Sequence, residues 1–285
     1  MNSRIISTID LDDDLLRQDV ERILEFQDVK QEYSEYRFGT WKNYVLWNES
    51  GDKKDTLFKG TQGGTIPTPF GQQVEYISSV IQKNFHTDKL KMVRANLLRD
   101  AILIPHRDYV EFKSDASKLA RLHVPISTDE HSLHSEGEQV FHMRQGEVWH
   151  LDVNNIHSAC NLSDRPRISL VLDFCLEGQS LESTLTHPEC CRPHPEPMIV
   201  DREPVDDEFL ATIASMKHVI NRVNYRDIVL FLSRVHFYKH VGLDVCYDWL
   251  IGICEGLEDK FLLEKSLNFK DFMLANRELG QRFAL

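Results

Sequence analysis

The sequence lacks any block of basic residues, and its formal net charge is −12 at pH 7. That excludes the phosphate-neutralising surfaces used to hold nucleic acid or anionic membranes. No apolar run approaches the length of a membrane span. There is no internal repeat and no low-complexity tract. The opening "MNSRIISTIDLDDD" carries no export signal, because Asp10 and the acids after it interrupt any apolar stretch. Cysteine is sparse, six residues scattered apart from the adjacent Cys190–Cys191. Without an export signal this predicts free thiols in a reducing cytoplasm. What the chain does have is enough apolar material for a real core, 41% hydrophobic and 9% aromatic over 285 residues. One large domain, or one domain with a smaller appendage, is expected.

Periodicity divides the chain. "DLDDDLLRQDVERILEF" reads as a capped helix with aspartates in its first turn and Leu16, Val20, Ile23 and Leu24 on one face. "PFGQQVEYISSVIQKNF" repeats the pattern with Val74, Ile77, Val80 and Ile81. The stretch between them, "ESGDKKDTLFKGTQGGTIPTP", is a turn-rich loop. From Met92 to Leu176 the texture becomes β: "MVRANLL", "AILIPH", "ARLHVPIST", "EVWHLDV" and "RISLVLDFCL" are strands of a sandwich or small barrel. The proline-rich "HPECCRPHPEP" is a linker, and the rest is helical: Phe209–Val219, "YRDIVLFLSRVHFY", "DVCYDWLIGICEGL" and "FKDFMLANRELGQRF". The expected division is a catalytic domain over 1–186 with its N-terminal helices, a linker over 187–204 and a helical domain over 205–285. The apolar stripe of Ile228, Leu232 and Val235 needs a partner surface. That surface is either the outside of the barrel or a second subunit, as in a homodimer.

"ILIPHRDYVEF" places three ionisable residues inside strand-like surroundings, which calls for a ligand. His106 and Asp108 are two apart, so on a strand they share a face while Arg107 points away. His157, after the polar turn of "LDVNNIHSA", supplies a third donor. Two histidines and a carboxylate on one face of a metal leave open positions, the arrangement of non-haem Fe(II) oxygenases. Zinc accepts the same ligands, and any single histidine here also reads as a satisfied core residue. Arg167 opens the apolar strand "RISLVLDF" and stays charged, so it needs an anion. Asp173 shares its parity but lies six residues along, too far to pair directly on one strand. A bound dicarboxylate meets the need bidentately. Arg121 and His123 share a face in "ARLHVPIST", and Arg94 sits on "MVRANLL". Together they suggest a pocket for more than one carboxylate, although each alone reads equally as a surface residue of a half-exposed sheet. The "HPECCRPH" cluster matches no common zinc spacing. Trp41 and Trp149 either line the pocket or fill core.

"IPHRDYVEF", "HMRQGEVWHLDVNNIHSA", "RISLVLDF", "EYSEYRFGTWKNYVLWNESG" and "NYRDIVLFLSRVHFYKHV" resemble the bacterial Fe(II)/2-oxoglutarate-dependent hydroxylases of free L-proline, the cis-3 and cis-4 types. These are relatives of the aspartyl/asparaginyl β-hydroxylases, and the resemblance covers nearly the whole chain. It implies a mainly β double-stranded β-helix core (jelly roll, cupin-like) with flanking N-terminal helices and a C-terminal helical domain. It implies that His106, Asp108 and His157 bind iron and that Arg167 holds the distal carboxylate of 2-oxoglutarate. Arg121 and His123 are similar to an arginine–x–histidine element that helps bind 2-oxoglutarate; Arg121 otherwise faces the amino acid. Arg94, His134 and Trp149 are the remaining candidates for the substrate. The third iron ligand is a carboxylate, where related halogenases bind chloride, so hydroxylation is expected. The function read from this is hydroxylation of a ring carbon of free L-proline or L-pipecolic acid with Fe(II), 2-oxoglutarate and O2, giving succinate and CO2. The alternatives are the same chemistry on a peptide residue, or a non-catalytic sensor of the same fold.

Overall fold

The structure, a computed structural model, describes residues 2–27, 34–56, 64–108, 118–187, 195–278 and 280–285. Strand β1 (Arg4–Thr8) leads into helix α1 (Asp13–Glu25), strands β2 (Arg37–Asn48) and β3 (Ile66–Pro67), helix α2 (Glu75–Asn84) and the 17-residue strand β4 (Leu90–His106). Then come β5 (Leu119–Ser127), β6 (Ser132–Glu136), β7 (Gln139–His142), β8 (Glu147–Leu151), β9 (His157–Asn161), β10 (Arg167–Cys175) and β11 (Met198–Ile199). Helices α3 (Asp207–Ser215), α4 (Tyr225–Arg234), α5 (Val245–Glu255) and α6 (Lys260–Leu274) follow. Of the expectations above, "YVEF" after Asp108 and most of "HPECCRPH" lie outside the described residues.

The strands run in the order β1-β8-β5-β10-β4-β9-β6-β7-β11, all antiparallel, with β2 pairing β3 and β4. Strand β4 joins the two arms. Its Leu90–Leu98 stretch pairs with β10, its Ala101–His106 stretch with β9, and β2 lies along it from Val93 to Leu103. The two strands expected as "MVRANLL" and "AILIPH" are therefore one. They read as two because the backbone is irregular between them. Asp100 adopts φ 41° and Gly39, on β2 beside it, φ 74°. The β2–β4 register slips between Phe38 and Thr40. A Cβ at residue 39 would run into the Asp100 carbonyl, so glycine is required there. A second slip, against β9, falls between Leu103 and His106.

Alternation along the strands separates core from cavity. Val93, Ala95 and Leu97 of β4, Leu122 and Val124 of β5, and Ile168, Leu170, Leu172 and Phe174 of β10 enter one core cluster. The residues between them, among them Arg94, Asn96, Arg121, His123, Arg167 and Ser169, line a cavity on the opposite face. Helices α1 and α2 cover the core face. The Asp12 side chain caps α1 by accepting from the N–H groups of Asp14 and Leu15, and Leu16 and Ile23 are buried against Ile77 and Ile81. Leu24, expected on that face, is 40% exposed. The buried Asp19 carboxylate accepts the Ile77 N–H at 2.8 Å in the first turn of α2, which satisfies it.

The C-terminal helices pack on the barrel. Val229, Leu232, Tyr247, Leu250, Phe269 and Met273 form one cluster with Tyr36 and Ile104. Val235 is fully buried, and Ile228 is partly so. Helix α6 begins at Lys260, before the expected Phe269, with Asp259 capping it through the Phe261 N–H. It stops at Leu274, so 275–278 and 280–283 are not helical as expected; Arg277, Glu278, Gly280 and Gln281 line the cavity instead. Within the expected linker, Met198–Ile199 pair with His142 and Phe141 of β7 and extend the sheet.

Candidate active site

His106 and His157 are cross-strand partners at the last pairing of β4 with β9. Asp108 follows two residues later. It is past the end of the strand, in a bend, rather than on the strand as expected. The sheet no longer directs it; a hydrogen bond from its N–H to the Val153 carbonyl at 2.8 Å does. Arg107 is exposed. His106 Nε2 is 3.5 Å from Asp108 Oδ1, and His157 Nε2 is 3.8 Å from Asp108 Oδ2. All three donor atoms fall within 4.8 Å of one another, the only such cluster among the described residues.

The cluster fits a metal ion. Donors bonded to one ion at about 2.1 Å stand roughly 3–4 Å apart, and the separations here are close to that. The Nδ1 atom of His106 lies 2.7 Å from the Ile104 carbonyl, and that of His157 lies 3.0 Å from the Asn155 carbonyl. Each Nδ1–H donates to its carbonyl, which fixes the tautomer and leaves the Nε2 lone pairs for the ion. Burial pushes His106 down to about 3, helped by His157, and lowers His157 as well. Both are neutral at physiological pH. Burial alone would raise Asp108, but Arg121, then the two histidines, hold it well below the usual carboxylate range. The donor set is thus ready for a divalent cation without loss of a proton.

Around the cluster is a cavity of about 1250 Å³, measured out to its open mouth. Arg94, Arg121, His123, His134 and Arg167 all line it. Trp149 does not. It is fully buried, stacked on Phe141 with ring centroids 4.6 Å apart, and its indole N–H donates to Glu147 at 2.8 Å. Its partner group is inside the protein, so the expectation that it touches substrate is corrected. Trp41 does line the cavity.

The arginines fall into two kinds. Asp173, 0% exposed, faces Arg121 directly across the β10–β5 pairing and pairs with its Nε at 2.7 Å. It also pairs with Arg94 on β4, and Arg121 reaches on to Asp108. Arg167 is 4% exposed and has no carboxylate in reach among the described residues. Its guanidinium donates to the carbonyls of Leu133 at 2.9 Å and Cys160 at 3.3 Å, and burial pushes it down to about 10. Asp173 is therefore the anion for Arg121 and Arg94, and not for Arg167. Near Arg167, buried polar atoms without a hydrogen-bond partner among the described residues include His123 Nδ1, both nitrogens of His134 and Ser169 Oγ. Burial lowers His123 and His134 well below the ordinary imidazole range, with arginines and His157 adding to it, so both are neutral. Unpaired buried polar groups beside an uncompensated cation describe a site for a polar anionic ligand.

Sequence reading missed Asn43, Asn96 and Ser169, and the wall contributed by Tyr36, Arg277 and Gln281. Ser169 had a signal, since it shares parity with Arg167 on β10. Arg277 and Gln281 had none, because only tertiary packing brings them to the mouth.

A two-armed antiparallel jelly roll around a two-histidine, one-carboxylate cluster defines a class of protein, the mononuclear non-haem iron oxygenases. Comparison gives the family. The chain belongs to the aspartyl/asparaginyl beta-hydroxylase family, whose model matches residues 9–176, and residues 183–281 match the C-terminal region of L-proline 3-hydroxylase. L-proline cis-3-hydroxylase 1 of a Streptomyces species is 34% identical over 100% of this chain and 99% of its own length. L-proline cis-4-hydroxylase of Rhizobium meliloti strain 1021 is 29% identical over 99% of each. Among solved structures, HygX of Streptomyces hygroscopicus, with nickel and 2-oxoglutarate bound, aligns over 61% of this chain and 82% of its own, with a TM-score of 0.38 and 9% identity. At that distance it adds nothing to the family assignment. The chain is an enzyme, an oxidoreductase of this hydroxylase family, with a donor cluster that fits a divalent metal ion.

Proposed function

We propose that this enzyme hydroxylates a ring carbon of a free cyclic amino acid, L-proline or L-pipecolic acid, at a cis-3 or cis-4 position. The observation that carries this reading is Arg167: a buried cation with no carboxylate of its own, in the cavity that holds the His106, Asp108 and His157 cluster. A bound dicarboxylate completes it. In this reading the three clustered side chains hold iron, which with 2-oxoglutarate and O2 supplies the oxidant, succinate and CO2 being released. Arg167 binds the distal carboxylate of 2-oxoglutarate, with His123, His134 and Ser169 offering their unpaired polar atoms. Arg121 and Arg94, held by Asp173, turn toward the carboxylate of the amino acid. Leu98, Leu103, Val153 and Val171 give the ring an apolar wall and exclude water. Which C–H stands nearest the iron decides the position hydroxylated.

The reduced thiols of Cys160, Cys175, Cys246 and Cys254 support a cytoplasmic enzyme, acting alone or as a homodimer. No helix among the described residues is long and apolar enough to cross a membrane. Residues 1–186 then form the oxygenase domain and 205–285 the helical domain, joined through 187–204.

The test is mass spectrometry of a panel of free amino acids incubated with enzyme, Fe(II), ascorbate and 2-oxoglutarate. A gain of one oxygen on proline or pipecolate is expected, with matching succinate. If no free amino acid stimulates succinate formation while a proline-containing peptide does, the free-substrate reading is overturned. If nothing stimulates it, the protein is a sensor.

A further inference from the structure

We infer that Phe272, Met273, Arg277 and Arg282 near the C-terminus position the metal ligands, with Arg277 as the principal positioning residue. The inference rests on the reading that His106, Asp108 and His157 bind the metal. The need for such a residue follows from the path of the chain. Strand pairing ends at His106, yet Asp108 has to be aimed at the same point as the two imidazoles. On one side, the Val153 carbonyl holds the Asp108 N–H. On the other, the helical segment holds the residues just before it.

Three contacts do this. The Tyr247 hydroxyl of α5 donates to the Pro105 carbonyl. The Arg107 N–H donates to the Met273 carbonyl at 3.1 Å. The Arg277 guanidinium donates to the Arg107 carbonyl at 2.5 Å. The last contact fixes the peptide that carries the N–H of Asp108, and it is charge-assisted.

The same segment also backs His106. The Tyr36 ring meets the His106 ring edge to face, with centroids 5.2 Å apart at 71°. Arg277 lies over Tyr36 at 5.5 Å, and Phe272 packs beside it at 6.0 Å. Next to Tyr36, the buried Glu35 carboxylate accepts two hydrogen bonds from Arg282, at 2.7 and 2.6 Å. One stretch of chain therefore grips the backbone between two ligands and the aromatic support of one of them. Groups that orient ligands in this way typically change metal affinity or activity by about 10–100-fold when removed.

The experiment is titration of the full-length, metal-free protein with Co(II), followed by calorimetry and by the visible absorption bands of the bound ion. Arg277→Ala is expected to weaken Co(II) binding by about 10-fold and to alter the bands. Arg277→Lys, which keeps one donor for the Arg107 carbonyl, is expected to recover part of the loss. The metal-free melting temperature is expected to stay close to wild type in both. Should Arg277→Ala not fold, Tyr247→Phe removes only the hydroxyl on Pro105 and carries the same expectation. His106→Ala is the control. Co(II) that binds His106→Ala as tightly as wild type overturns the metal assignment and this inference with it. Co(II) lost in His106→Ala but bound by folded Arg277→Ala or Tyr247→Phe with wild-type affinity and bands overturns this inference alone.

Discussion

Arg167 and the pair Arg94/Arg121 line one cavity from neighbouring strands, yet the protein treats them differently. Asp173 meets Arg94 and Arg121, and Asp108 takes the other side of Arg121. Among the described residues, Arg167 meets only carbonyl oxygens. A buried cation with its own carboxylate is a finished structural unit. A buried cation without one is costly, and it is retained where a ligand brings the anion. The contrast separates charges that the protein already holds with a carboxylate of its own from the charge left for a ligand's carboxylate to complete.

The largest effect expected is on the carboxylate that touches both the metal cluster and Arg121. Asp108→Ala removes one of three protein ligands and should reduce hydroxylation to background while the protein stays folded. Wild-type turnover by the purified variant would show that the cluster is not the metal site.

Arg167→Leu tests the uncompensated charge directly. Removing one partner of a desolvated pair costs about 2–5 kcal/mol, or roughly 30-fold to several-thousand-fold in 2-oxoglutarate affinity. The melting temperature without ligand should hold or rise, because the cation had no carboxylate to lose. A normal 2-oxoglutarate titration together with a lowered melting temperature would make Arg167 structural and erase the contrast.

Asp173→Asn should behave in the opposite way. It strips the shared anion from Arg94 and Arg121 and should cost about 3–5 kcal/mol of stability with or without ligands. Chemical denaturation of the ligand-free variant reads this out. A loss seen only in amino-acid binding would mean that Asp173 serves the substrate alone.

The narrowest effect, confined to acid pH, concerns a buried base kept neutral. Burial pushes His236 down to about 3, with Arg202 adding to it, and its Nε2 lies 3.0 Å from Ser135 Oγ. Below about pH 6.5 the unfolded chain takes up a proton there that the folded chain refuses. The unfolded state then binds more protons, so stability falls as pH falls from about 6.5 toward 3. His236→Gln should flatten that part of the acid-unfolding profile by up to one proton's slope, about 1.4 kcal/mol per pH unit, measured on metal-free protein; an unchanged slope would show that His236 protonates without unfolding.

The parts of this molecule that were legible in sequence are those where periodicity is clean. Helices α1 and α2 carry regular apolar stripes, and β5, β8 and β10 have apolar core faces. Strand β6 escaped because Ser132, His134, Ser135 and Glu136 are all buried polar residues, so alternation is lost where the strand meets the site. Strand β2 is broken up in the same way by Gly39, Lys42 and Asn43. The grouping of His106, Asp108 and His157 was legible from spacing and resemblance. The partner of Arg121 was not, since it depends on the register between β5 and β10. Nor was Arg277, which reaches Arg107 across 170 positions of chain.

Strand β4 has a consequence for how this enzyme tolerates changes in length. Arg94, Asn96 and Leu98 reach the cavity at even spacing, then Leu103 does so at odd spacing, and His106 returns to even. The slip at Gly39/Asp100 shifts the frame of the pleat by one residue, and the slip before His106 shifts it back. Deleting Asp100, the extra residue of the first slip, would regularise the pleat and leave Leu103 and His106 on the cavity face with Arg94, whereas one residue added within the regular stretch from Arg94 to Leu98 would turn one end of the strand outward and separate the cluster from Arg94 in one step. A single change of length in this strand should therefore be tolerated at a slip and not in the regular pleat between slips.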